Sequence, residues 1–272
     1  MLYLVPTPIG NMEDITLRAL RVLRECDKVY CEDTRHTGAL LHQLEIKKPL
    51  VACHEHNENE RAAQLVRELQ EGANIAYASD AGMPGISDPG ARLVRACVEN
   101  GLPYTVLPGA SASLTALVLS GFSSENACFA GFLPREGKPR RERIAALANH
   151  PGALIFYESP LRLAATCAEL SALLGEREAA LCRELSKLHE ECVRGSLSEL
   201  ASRYNETPPR GECVLIVAGR TEQAACADPR ELIRSLLEKG VSAKDAAKQA
   251  AALADLPRNE AYAIALEIIC NL

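Results

Sequence analysis

The stretch Asn74-Ile-Ala-Tyr-Ala-Ser-Asp-Ala-Gly-Met-Pro-Gly-Ile-Ser-Asp-Pro-Gly90 joins a short apolar run to a loop of small, turn-forming residues. Similar loops follow short apolar runs at residues 7–11, 107–112 and 211–213. In open α/β sheets, ligands bind at the loops that follow the carboxyl ends of parallel strands. Gly, Pro, Ser and Asp let a backbone turn sharply and approach a small molecule closely. Together the loops predict an α/β fold that binds a cofactor.

The composition is that of a globular protein with one large or two ordinary domains. Of the 272 residues, 47% are hydrophobic and 24% are charged, which is within the usual range. The apolar stretches, such as residues 114–119, are too short to span a bilayer. Residues 1–6 lack the basic segment and cleavage site of a signal peptide and are typical of a first strand. We expect a cytoplasmic protein that makes no membrane contact.

Eleven cysteines are scattered along the chain, and no two are spaced as Cys-x-x-Cys. Because their number is odd and most lie in apolar runs, we expect reduced thiols that pack as small hydrophobic groups. The segment Cys53-His-Glu-His56 is the one cluster that suggests a metal. In an extended segment its side chains alternate between opposite faces, so one ion cannot easily bind them all. We therefore predict no metal site.

The net charge of −6 argues against a protein that binds nucleic acid through a broad basic field. The chain has no Trp, and only 4% of its residues are aromatic, which leaves no evident platform for stacked bases. Any nucleic-acid contact must therefore come from local basic patches. Residues 135–143, five of which are basic, are one candidate. A solvated loop and helix start is an equally good interpretation of that segment.

Strand-like and helical patterns alternate in the first half of the chain. Strands are predicted at residues 2–5, 28–31, 50–53, 74–78 and 104–107. Helices are predicted at residues 13–25, 57–70 and 89–99, where apolar residues recur at helical spacing. Such alternation implies parallel strands that are joined by crossover helices.

A second α/β stretch follows a break in periodicity at residues 121–126. Its predicted strands are 128–133, 153–157, 179–182 and 214–217, and its predicted helices are 140–148, 161–174 and 197–204. Three short helical patterns follow at 229–238, 242–253 and 259–270, and Ser242 and Asp245 are spaced for a helix N-cap. Short helices with tight turns are typical of a helix-turn-helix module. A structural cap on the second domain explains them equally well.

The first loop does not fit the common nucleotide-binding motifs. A Rossmann turn requires Gly-x-Gly-x-x-Gly, whereas residues 6–10 are Pro-Thr-Pro-Ile-Gly, and the chain has neither a P-loop nor a Gly-x-Ser-x-Gly elbow. NAD and FAD are therefore disfavoured.

In the loop after the fourth predicted strand, Asp80 is placed to bind a ribose, and Ala81 and Gly82 leave room for an adenosine or its amino-acid tail. The simpler interpretation of the loop that contains Asp80 is a proline-stiffened turn.

Eight short motifs occur in an order that resembles one protein family. They are Thr7-Pro-Ile-Gly-Asn11, Glu32-Asp-Thr-Arg35, His54-Glu-His-Asn-Glu58, Ser79 to Gly90, Pro108-Gly-Ala-Ser111, Tyr157-Glu-Ser-Pro160, Arg183-Glu-Leu-Ser-Lys187 and Gly211-Glu212. Over nearly its whole length the chain is similar to the family of small-subunit ribosomal RNA methyltransferases within the tetrapyrrole-methylase superfamily. The resemblance implies two α/β domains with a cofactor cleft between them and a small C-terminal helical module. We place these at residues 1–121, 122–220 and 228–272.

The resemblance also implies a function. It implies a homodimer that transfers the methyl group of S-adenosylmethionine to the ribose 2′-oxygen of a decoding-site cytidine, cytidine 1402 of the 16S rRNA in the small ribosomal subunit. The implied cofactor-binding residues are Pro8, Gly10, Asp80, Ala81, Gly82, Ile86, Ser87, Pro108, Gly109, Ala110, Ser111, Tyr157, Glu158, Gly211 and Glu212. Met83 and Ser186 stand where the family leads us to expect Thr, and neither departure changes charge.

Catalytic and RNA-binding residues are predicted from the polar and basic side chains near the expected cleft and in local basic patches. The preferred catalytic residues are Asp33 and Lys187, from a group that also contains Glu32, His54, Glu158 and Glu184. For each of these, a structural ion pair is an alternative role. The predicted RNA contacts are Arg35, Arg135, Lys138, Arg140, Arg141, Lys187 and Arg194.

Two other functional classes stay open at this point. A corrinoid or sirohaem precursor methyltransferase shares the superfamily fold, but such enzymes usually open with a Gly-x-Gly-Pro-Gly type of turn. This chain has Thr7-Pro-Ile-Gly-Asn11 instead. A non-catalytic RNA-binding assembly factor is the second class, and the cofactor loops argue against it because a pure binder needs no such pocket.

Overall fold

The computed structural model describes residues 1–54, 56–87, 90–220, 229–238, 241–253 and 256–270. These residues group into two compact units. The first unit is formed by Met1–Ala116 with Glu184–Glu191, and the second by the described residues of Leu117–Arg183 and Cys192–Leu272. Two five-stranded sheets organise them. Within the described ranges, no helix is long and apolar enough to cross a membrane.

The sheet of the first unit is entirely parallel. Its strands are β1 (Leu2–Val5), β2 (Lys28–Cys31), β3 (Leu50–Ala52), β4 (Ile75–Ala78) and β5 (Tyr104–Val106). They lie in the order β3-β2-β4-β1-β5, and every pairing between neighbours is parallel. The helices that follow them in turn are α1 (Leu17–Glu25), α2 (Thr34–Gln43), α3 (Glu58–Gln70), α4 (Ala91–Glu99) and α5 (Ala112–Ser120). The predicted pattern of parallel strands and crossover helices is confirmed.

Helices cover both faces of this sheet, as the central strand β4 shows. Ile75 and Tyr77 pack on one face with apolar residues of α3 and α4, whereas Ala76 and Ala78 pack on the other with residues of α1 and α2. All four side chains are fully buried. A strand that is buried on both sides reads as a continuous apolar run, which is why its sequence shows no alternation.

The interpretation of residues 13–25 as one helix is wrong at its start. Met12–Asp14 form a 3-10 turn capped by Asn11, and α1 begins only at Leu17. There the Thr16 hydroxyl accepts a hydrogen bond of 3.0 Å from the Ala19 N–H. Thr16 acts as a second N-cap because its backbone is extended, and this divides the segment in two.

The sheet of the second unit is mixed. Its strands are β6 (Cys128–Phe132), β7 (Leu154–Glu158), β8 (Glu178–Arg183), β9 (Glu191–Ser196) and β10 (Cys213–Val217), in the order β6-β7-β10-β8-β9. β6 is parallel to β7, whereas β10 is antiparallel to both β7 and β8. Helices α6 (Gly137–Ala146), α7 (Leu163–Leu174) and α8 (Leu197–Asn205) contribute to its core.

Three helices, Pro229–Glu238, Ala243–Leu253 and Arg258–Cys270, follow the second sheet in the chain. They share a small core of their own that contains Ile233, Ala250, Ala261 and Ile268. The Ser242 hydroxyl accepts a hydrogen bond from the Asp245 N–H at 3.2 Å, so the predicted N-cap is confirmed. The three helical patterns of the sequence are thus real helices, each within a residue of its predicted start.

Candidate active site

The carboxyl ends of β1, β2, β4 and β5 lie at one edge of the first sheet, because all these strands are parallel. The segments that leave this edge are residues 6–10, 32–33, 79–82 and 107–111. They contain most of the residues predicted to bind the cofactor. The edge of a parallel sheet is where α/β folds place their ligands.

Buried hydroxyl groups join the loops after β1 and β4. The backbones of Thr7 and Gly82 pair with each other through two hydrogen bonds of 3.1 and 3.0 Å. The Thr7 hydroxyl donates to the Ser79 carbonyl at 2.9 Å, and the Ser79 hydroxyl donates to the Gly82 carbonyl at 2.6 Å. Both side chains are almost fully buried. Sequence reasoning assigns no role to Thr7 or Ser79, and the structure shows that they hold two candidate cofactor loops together.

Glycines allow the loops to touch. A Cβ on Gly109 would lie 2.6 Å from the Cβ of Pro6, and a Cβ on Gly82 would lie 3.3 Å from Cγ2 of Ile9. Gly82 also has a φ of +80°, which L side chains rarely adopt. The three loops therefore form one continuous surface, and the small residues in the predicted set are required for it.

Asp80 presents its carboxylate at this edge. The side chain is half-buried, and its Oδ1 accepts a hydrogen bond of 3.3 Å from the backbone N–H of Asp33. An ionised carboxylate has about four acceptor positions, so this bond leaves capacity for ribose hydroxyls. Asp80 with the close-packed glycines thus fits a nucleoside-containing cofactor such as S-adenosylmethionine.

The remaining cofactor candidates of the first unit lie in the same loops. Ala81, Ile86 and Ser87 are exposed, and Ser87 has a φ of +61°. Pro8, Ala110 and Ser111 are half-buried, and Pro108 is exposed. The structure places these residues along one edge, and their cofactor contacts stay predictions.

Asp33 is the N-cap of α2. Its Oδ1 accepts from the Arg35 N–H at 2.8 Å, and its Oδ2 accepts from the Arg35 guanidinium at 2.7 Å. The Arg35 side-chain hydrogen bonds, followed by its backbone hydrogen bond, hold the pKa of Asp33 well below its usual range. A carboxylate with so low a pKa is a weak proton acceptor. The geometry therefore favours a helix-capping role for Asp33 over that of a general base.

Lys187 lies in a loop that groups with the first unit. A Cβ on Gly10 would lie 2.4 Å from Lys187 Cγ and 2.7 Å from the Leu185 carbonyl, so this loop rests directly on the first βα turn. The Lys187 ammonium donates to Glu184 at 3.0 Å, and the Ser186 hydroxyl is hydrogen-bonded to Asp14. Lys187 is thus in contact with a predicted cofactor residue, although 177 positions separate it from Gly10.

The loop that carries Lys187 has an unusual backbone. Glu184 and Ser186 have φ values of +51° and +64°, a conformation that costs energy in residues other than glycine. The Ser186 N–H donates to Glu190 at 2.8 Å, and the Lys187 N–H donates to the Glu184 carbonyl at 3.0 Å. One side chain and one backbone hydrogen bond within the loop therefore hold this strained turn in place.

Four cofactor candidates belong to the second unit, where the end of β7 pairs with the start of β10. Tyr157 is half-buried, with its ring 5.1 Å from that of Phe129. Gly211 and Glu212 are exposed just before β10. These three residues lie at this edge of the second sheet, and their cofactor contacts stay predictions.

The side chain of Glu158 is bonded within the second unit. It is about 1% exposed and forms a 2.6 Å ion pair with Arg162. It also accepts from the Thr166 hydroxyl at 2.7 Å and from the Ser159 N–H at 2.8 Å. Because these groups surround the carboxylate, it serves to fix the turn after β7, and the geometry argues against contact of this side chain with a cofactor or a reacting proton.

The predicted RNA contacts divide into exposed and internally bonded groups. Arg35, Arg135, Lys138 and Arg141 are exposed. Arg194 is also exposed, but its guanidinium donates to the carbonyls of Leu119 at 2.6 Å and Ser120 at 2.8 Å, where it caps α5. The exposed groups stay open to phosphate contacts, although Arg35 pairs with Asp33 and Lys138 pairs with Glu142 at 3.5 Å. Arg194 is engaged at a helix end.

The structure argues against an RNA contact by Arg140. This residue is 6% exposed, and its guanidinium donates to Glu169 at 2.5 Å, to Thr166 at 2.8 Å and to the Pro134 carbonyl at 3.0 Å. Helical geometry explains the difference: within α6, Arg140 is turned toward α7 while Lys138 and Arg141 face solvent. Arg140 therefore supports the core of the second unit.

The cluster around His54 forms no candidate metal site in the described ranges, where no three His, Cys, Asp or Glu side chains converge. Cys53 is fully buried, the rings of His54 and His56 stand 6.0 Å apart, and Glu55 lies outside the described residues. None of the nine described cysteines is in a disulfide bond.

Comparison with known proteins assigns the class. The family of Tetrapyrrole (Corrin/Porphyrin) Methylases matches residues 1–201. The RsmI C-terminal HTH domain matches residues 223–268. The fold agrees: uroporphyrin-III C-methyltransferase from Thermus thermophilus, solved as a complex with S-adenosyl homocysteine, superposes with a TM-score of 0.57 at 23% identity, over 80% of this chain and 96% of that one.

Closer relatives narrow the assignment. The chain is 42% identical to ribosomal RNA small subunit methyltransferase I from Synechocystis, over 98% of both chains. It is 47% identical to the protein of the same name from Micromonospora olivasterospora, over 96% of this chain and 85% of that one. The chain therefore belongs to the ribosomal RNA small subunit methyltransferase I family, within the tetrapyrrole methylases.

Proposed function

We propose that this protein uses S-adenosylmethionine to methylate the ribose 2′-oxygen of a decoding-site cytidine, cytidine 1402, in the 16S rRNA of the small ribosomal subunit. The similarity to rRNA methyltransferases over nearly the whole chain carries this proposal. The match to an HTH domain adds to it, because that domain extends beyond the part shared with the tetrapyrrole enzymes.

We assign the cofactor to the loops at the carboxyl edge of the first sheet. When bound, S-adenosylmethionine supplies an electrophilic methyl group on a positively charged sulfur. Asp80 accepts hydrogen bonds from its ribose, and the turns at Gly82 and Gly109 let the backbone approach it closely. Thr7 and Ser79 hold these turns in place before the cofactor arrives, and such preorganisation lowers the cost of binding.

Positioning supplies most of the rate enhancement in this account. Alignment of a nucleophile with its target is worth effective molarities of up to about 10⁸ M, whereas a general base contributes about 10²–10⁴-fold. We assign Lys187 to the orientation of the reacting ribose and its phosphate. Its ion pair with Glu184 would be lost on deprotonation, so an orienting cation fits this geometry better than a proton acceptor.

Exposed basic side chains are the proposed phosphate contacts. Arg35 lies in the first turn of α2, next to the segment 32–33 at the carboxyl edge of the first sheet, and its side chain is 90% exposed despite the bond to Asp33. Arg135, Lys138 and Arg141 form a second group at the start of α6. Local clusters of this kind suit the recognition of a folded RNA by an acidic protein, because a short unstructured strand would find no broad basic surface.

Helix α5 supports the proposal of a homodimer. It is apolar on all sides, yet Leu114 is 62% and Val118 is 79% exposed. These residues are four positions apart and therefore share one face, and Tyr104 and Val106 of the edge strand β5 add further exposed apolar surface. Apolar patches of this kind mark interfaces. We also place the protein in the cytoplasm, where its ribosomal substrate is assembled.

A methyl-transfer assay separates this proposal from its alternatives. Labelled S-adenosylmethionine is offered with unmodified small subunits, with a short decoding-site oligonucleotide and with uroporphyrinogen III. Labelled RNA from the subunits is the expected product, with at least about tenfold less from the oligonucleotide. Methylation of uroporphyrinogen alone would make the protein a tetrapyrrole enzyme, and cofactor binding without any transfer would favour an assembly factor.

A further inference from the structure

We propose that Cys182 and Cys192 form a thiol-oxidation site, in which peroxide converts the two thiols into a reversible disulfide at the base of the loop that carries Lys187. Cys182 lies in β8 and Cys192 in β9, which are neighbours in the second sheet. Their sulfur atoms are 3.6 Å apart. The simpler role of the pair is to pack as small apolar groups, but the partial exposure of Cys192 and the closeness of the two sulfur atoms favour oxidation.

The pair combines access with a resolving partner. Of the nine described cysteines, seven are buried, and only Cys128 and Cys192 are half-buried. Oxidation requires an accessible thiol, and a second thiol in reach makes it reversible. Cys192 meets both conditions, because a peroxide reaches it from the solvent side while Cys182 lies against it from the core. Cys128, on β6, supplies a natural comparison with similar exposure.

The two cysteines need to move only a short distance to form a disulfide. The backbone hydrogen bond of 3.0 Å from the Leu197 N–H to the Arg177 carbonyl sets the register of the two strands and places Cys182 opposite Cys192. Residues opposed in this way have Cα atoms about 4.5–5.5 Å apart, which falls within the range of about 4.4–6.8 Å found in disulfides. The sulfur atoms must move from 3.6 Å to about 2.05 Å. A side-chain rotation with slight strand movement provides this shift, so the sheet itself need not unfold.

The chemistry balances with hydrogen peroxide as the oxidant. The Cys192 thiolate attacks one peroxide oxygen, the O–O bond breaks, and hydroxide leaves, so that Cys192 becomes a sulfenic acid. The Cys182 sulfur then attacks the Cys192 sulfur, and the S–O bond breaks with release of water. Overall, two thiols and one peroxide give one disulfide and two waters. A thiol reductant reverses the change by exchange.

The position of the pair gives the site a functional consequence. The nine residues 183–191 between the two cysteines include Glu184, Ser186 and Lys187. A disulfide ties the two ends of this segment together and restrains a turn whose backbone is already strained at two residues. The consequence for activity rests on the proposed function, because it assumes that the loop takes part in methyl transfer; the formation of the disulfide does not.

Peptide mapping tests the site directly on the full-length protein. Trypsin cleaves after Arg177, Arg183, Lys187 and Arg194, so a Cys182–Cys192 bond links the peptides 178–183 and 188–194. After treatment with hydrogen peroxide and blocking of the remaining thiols, we expect this linked pair as the main disulfide, and we expect a reductant to separate it. A main disulfide between other cysteines, or Cys192 oxidised beyond a sulfenic acid with no linked pair, would overturn the proposal.

Matched variants separate the bond from general damage. Cys192→Ser should abolish the linked pair, and Cys128→Ser should leave it intact; Cys182→Ala is a second test of the same bond. In a methyl-transfer assay, oxidised wild type should lose at least about half of its rate and regain it on reduction, while Cys192→Ser should resist peroxide. If the linked pair forms but the rate does not change, the oxidation site stands and the assignment of the loop to methyl transfer fails.

Discussion

Lys187 lies directly against Gly10: a Cβ added to this glycine would lie 2.4 Å from Lys187 Cγ. The close approach brings a predicted catalytic residue into contact with a predicted cofactor-binding turn, although the two positions are far apart in the chain. Because a real Cβ cannot occupy that space, residue 10 must be glycine for the loop 184–191 to keep its place.

The substitution Gly10→Ala should therefore displace Lys187 without unfolding the protein. A misplacement of about 1 Å can cost about 100-fold in rate, and we expect a loss of that order in single-turnover methyl transfer. Gly38→Ala is the matched control, since its Cβ would meet only Leu50 Cδ1 at 3.5 Å, an ordinary contact. Equal rates for the two variants, with circular dichroism unchanged, would show that the Lys187 loop has no part in the reaction.

Removal of the Asp80 carboxylate should weaken cofactor binding. A ribose left without its acceptor loses about 1–3 kcal/mol, which corresponds to about 5- to 150-fold in the dissociation constant measured by calorimetry. Asp80→Ala tests this, with Glu13→Ala as a control at an exposed carboxylate of the same unit. An unchanged dissociation constant in Asp80→Ala would refute the assignment of Asp80 to the ribose.

Asp33 should not titrate in the working range of the enzyme. Arg35 lowers the pKa of this carboxyl, so the group stays ionised above its ordinary unfolded pKa. Its contribution to stability is present there and is lost only as the pH falls through the lowered folded pKa. We predict that Asp33→Asn, which can still cap α2, changes the methyl-transfer rate by less than about threefold at each pH between about 5 and 9.

If Asp33 were the general base, its substitution would have a much larger effect on the rate. Loss of a general base typically costs about 10²–10⁴-fold. A decrease of that size in Asp33→Asn, with cofactor affinity and helix content unchanged, would restore Asp33 as the catalytic base.

Arg140 and Arg141 should behave differently although they are neighbours. Arg140→Met leaves Glu169 and Thr166 without their buried donor, and we expect a loss of about 1–3 kcal/mol in the free energy of unfolding. Arg141→Met, at an exposed position, should change stability by less than about 0.5 kcal/mol. Chemical denaturation measures both, and equal effects would contradict the structural role of Arg140.

RNA affinity, in contrast to stability, should depend more on Arg141 than on Arg140. Arg141→Met removes a proposed phosphate contact, and the dependence of binding on salt should weaken by about one unit of slope. A normal salt dependence in Arg141→Met would remove this residue from the RNA surface.

The sequence indicates much of the fold because apolar periodicity is a local signal. β1, β2 and the last three helices are found where the pattern predicts them. Helix α5 is not indicated as a helix, because a segment that is apolar on all sides has no helical period. β9 is also not indicated, because Glu191-Cys-Val-Arg-Gly-Ser196 is an edge strand in which only Cys192 and Val193 are apolar.

The candidate site is predictable to the extent that its residues lie in loops with a characteristic composition. Asp80, Gly82 and Gly109 belong to such loops. The contact of Lys187 with Gly10 and that of Ser186 with Asp14 depend on a loop that returns to the first unit from a distant part of the chain, and no local pattern reports it. The burial of Glu158 and Arg140 follows from which side of a helix or strand packs inward, which composition alone does not specify.

The exposed apolar face of α5 can be tested as a dimer interface. Val118→Glu places a charge on the exposed apolar face of α5 and should convert a dimer into a monomer at micromolar concentration, because an unpaired charge is costly in a buried interface. Leu161→Glu is the control, since Leu161 is 82% exposed and lies away from α5 in the sequence. Mass photometry that finds both variants dimeric would remove α5 from the interface.

The central claim is that the methyl group goes to a single ribose oxygen, and alkaline hydrolysis of the product RNA tests it most directly. A 2′-O-methyl group removes the hydroxyl that attacks the neighbouring phosphodiester, so the bond after the modified nucleotide resists alkali. With unmodified small subunits, S-adenosylmethionine and this protein, we predict one new resistant bond, after cytidine 1402 of the 16S rRNA. A methyl group on a base or at another nucleotide, or RNA that stays fully sensitive to alkali while uroporphyrinogen is methylated, would contradict the account.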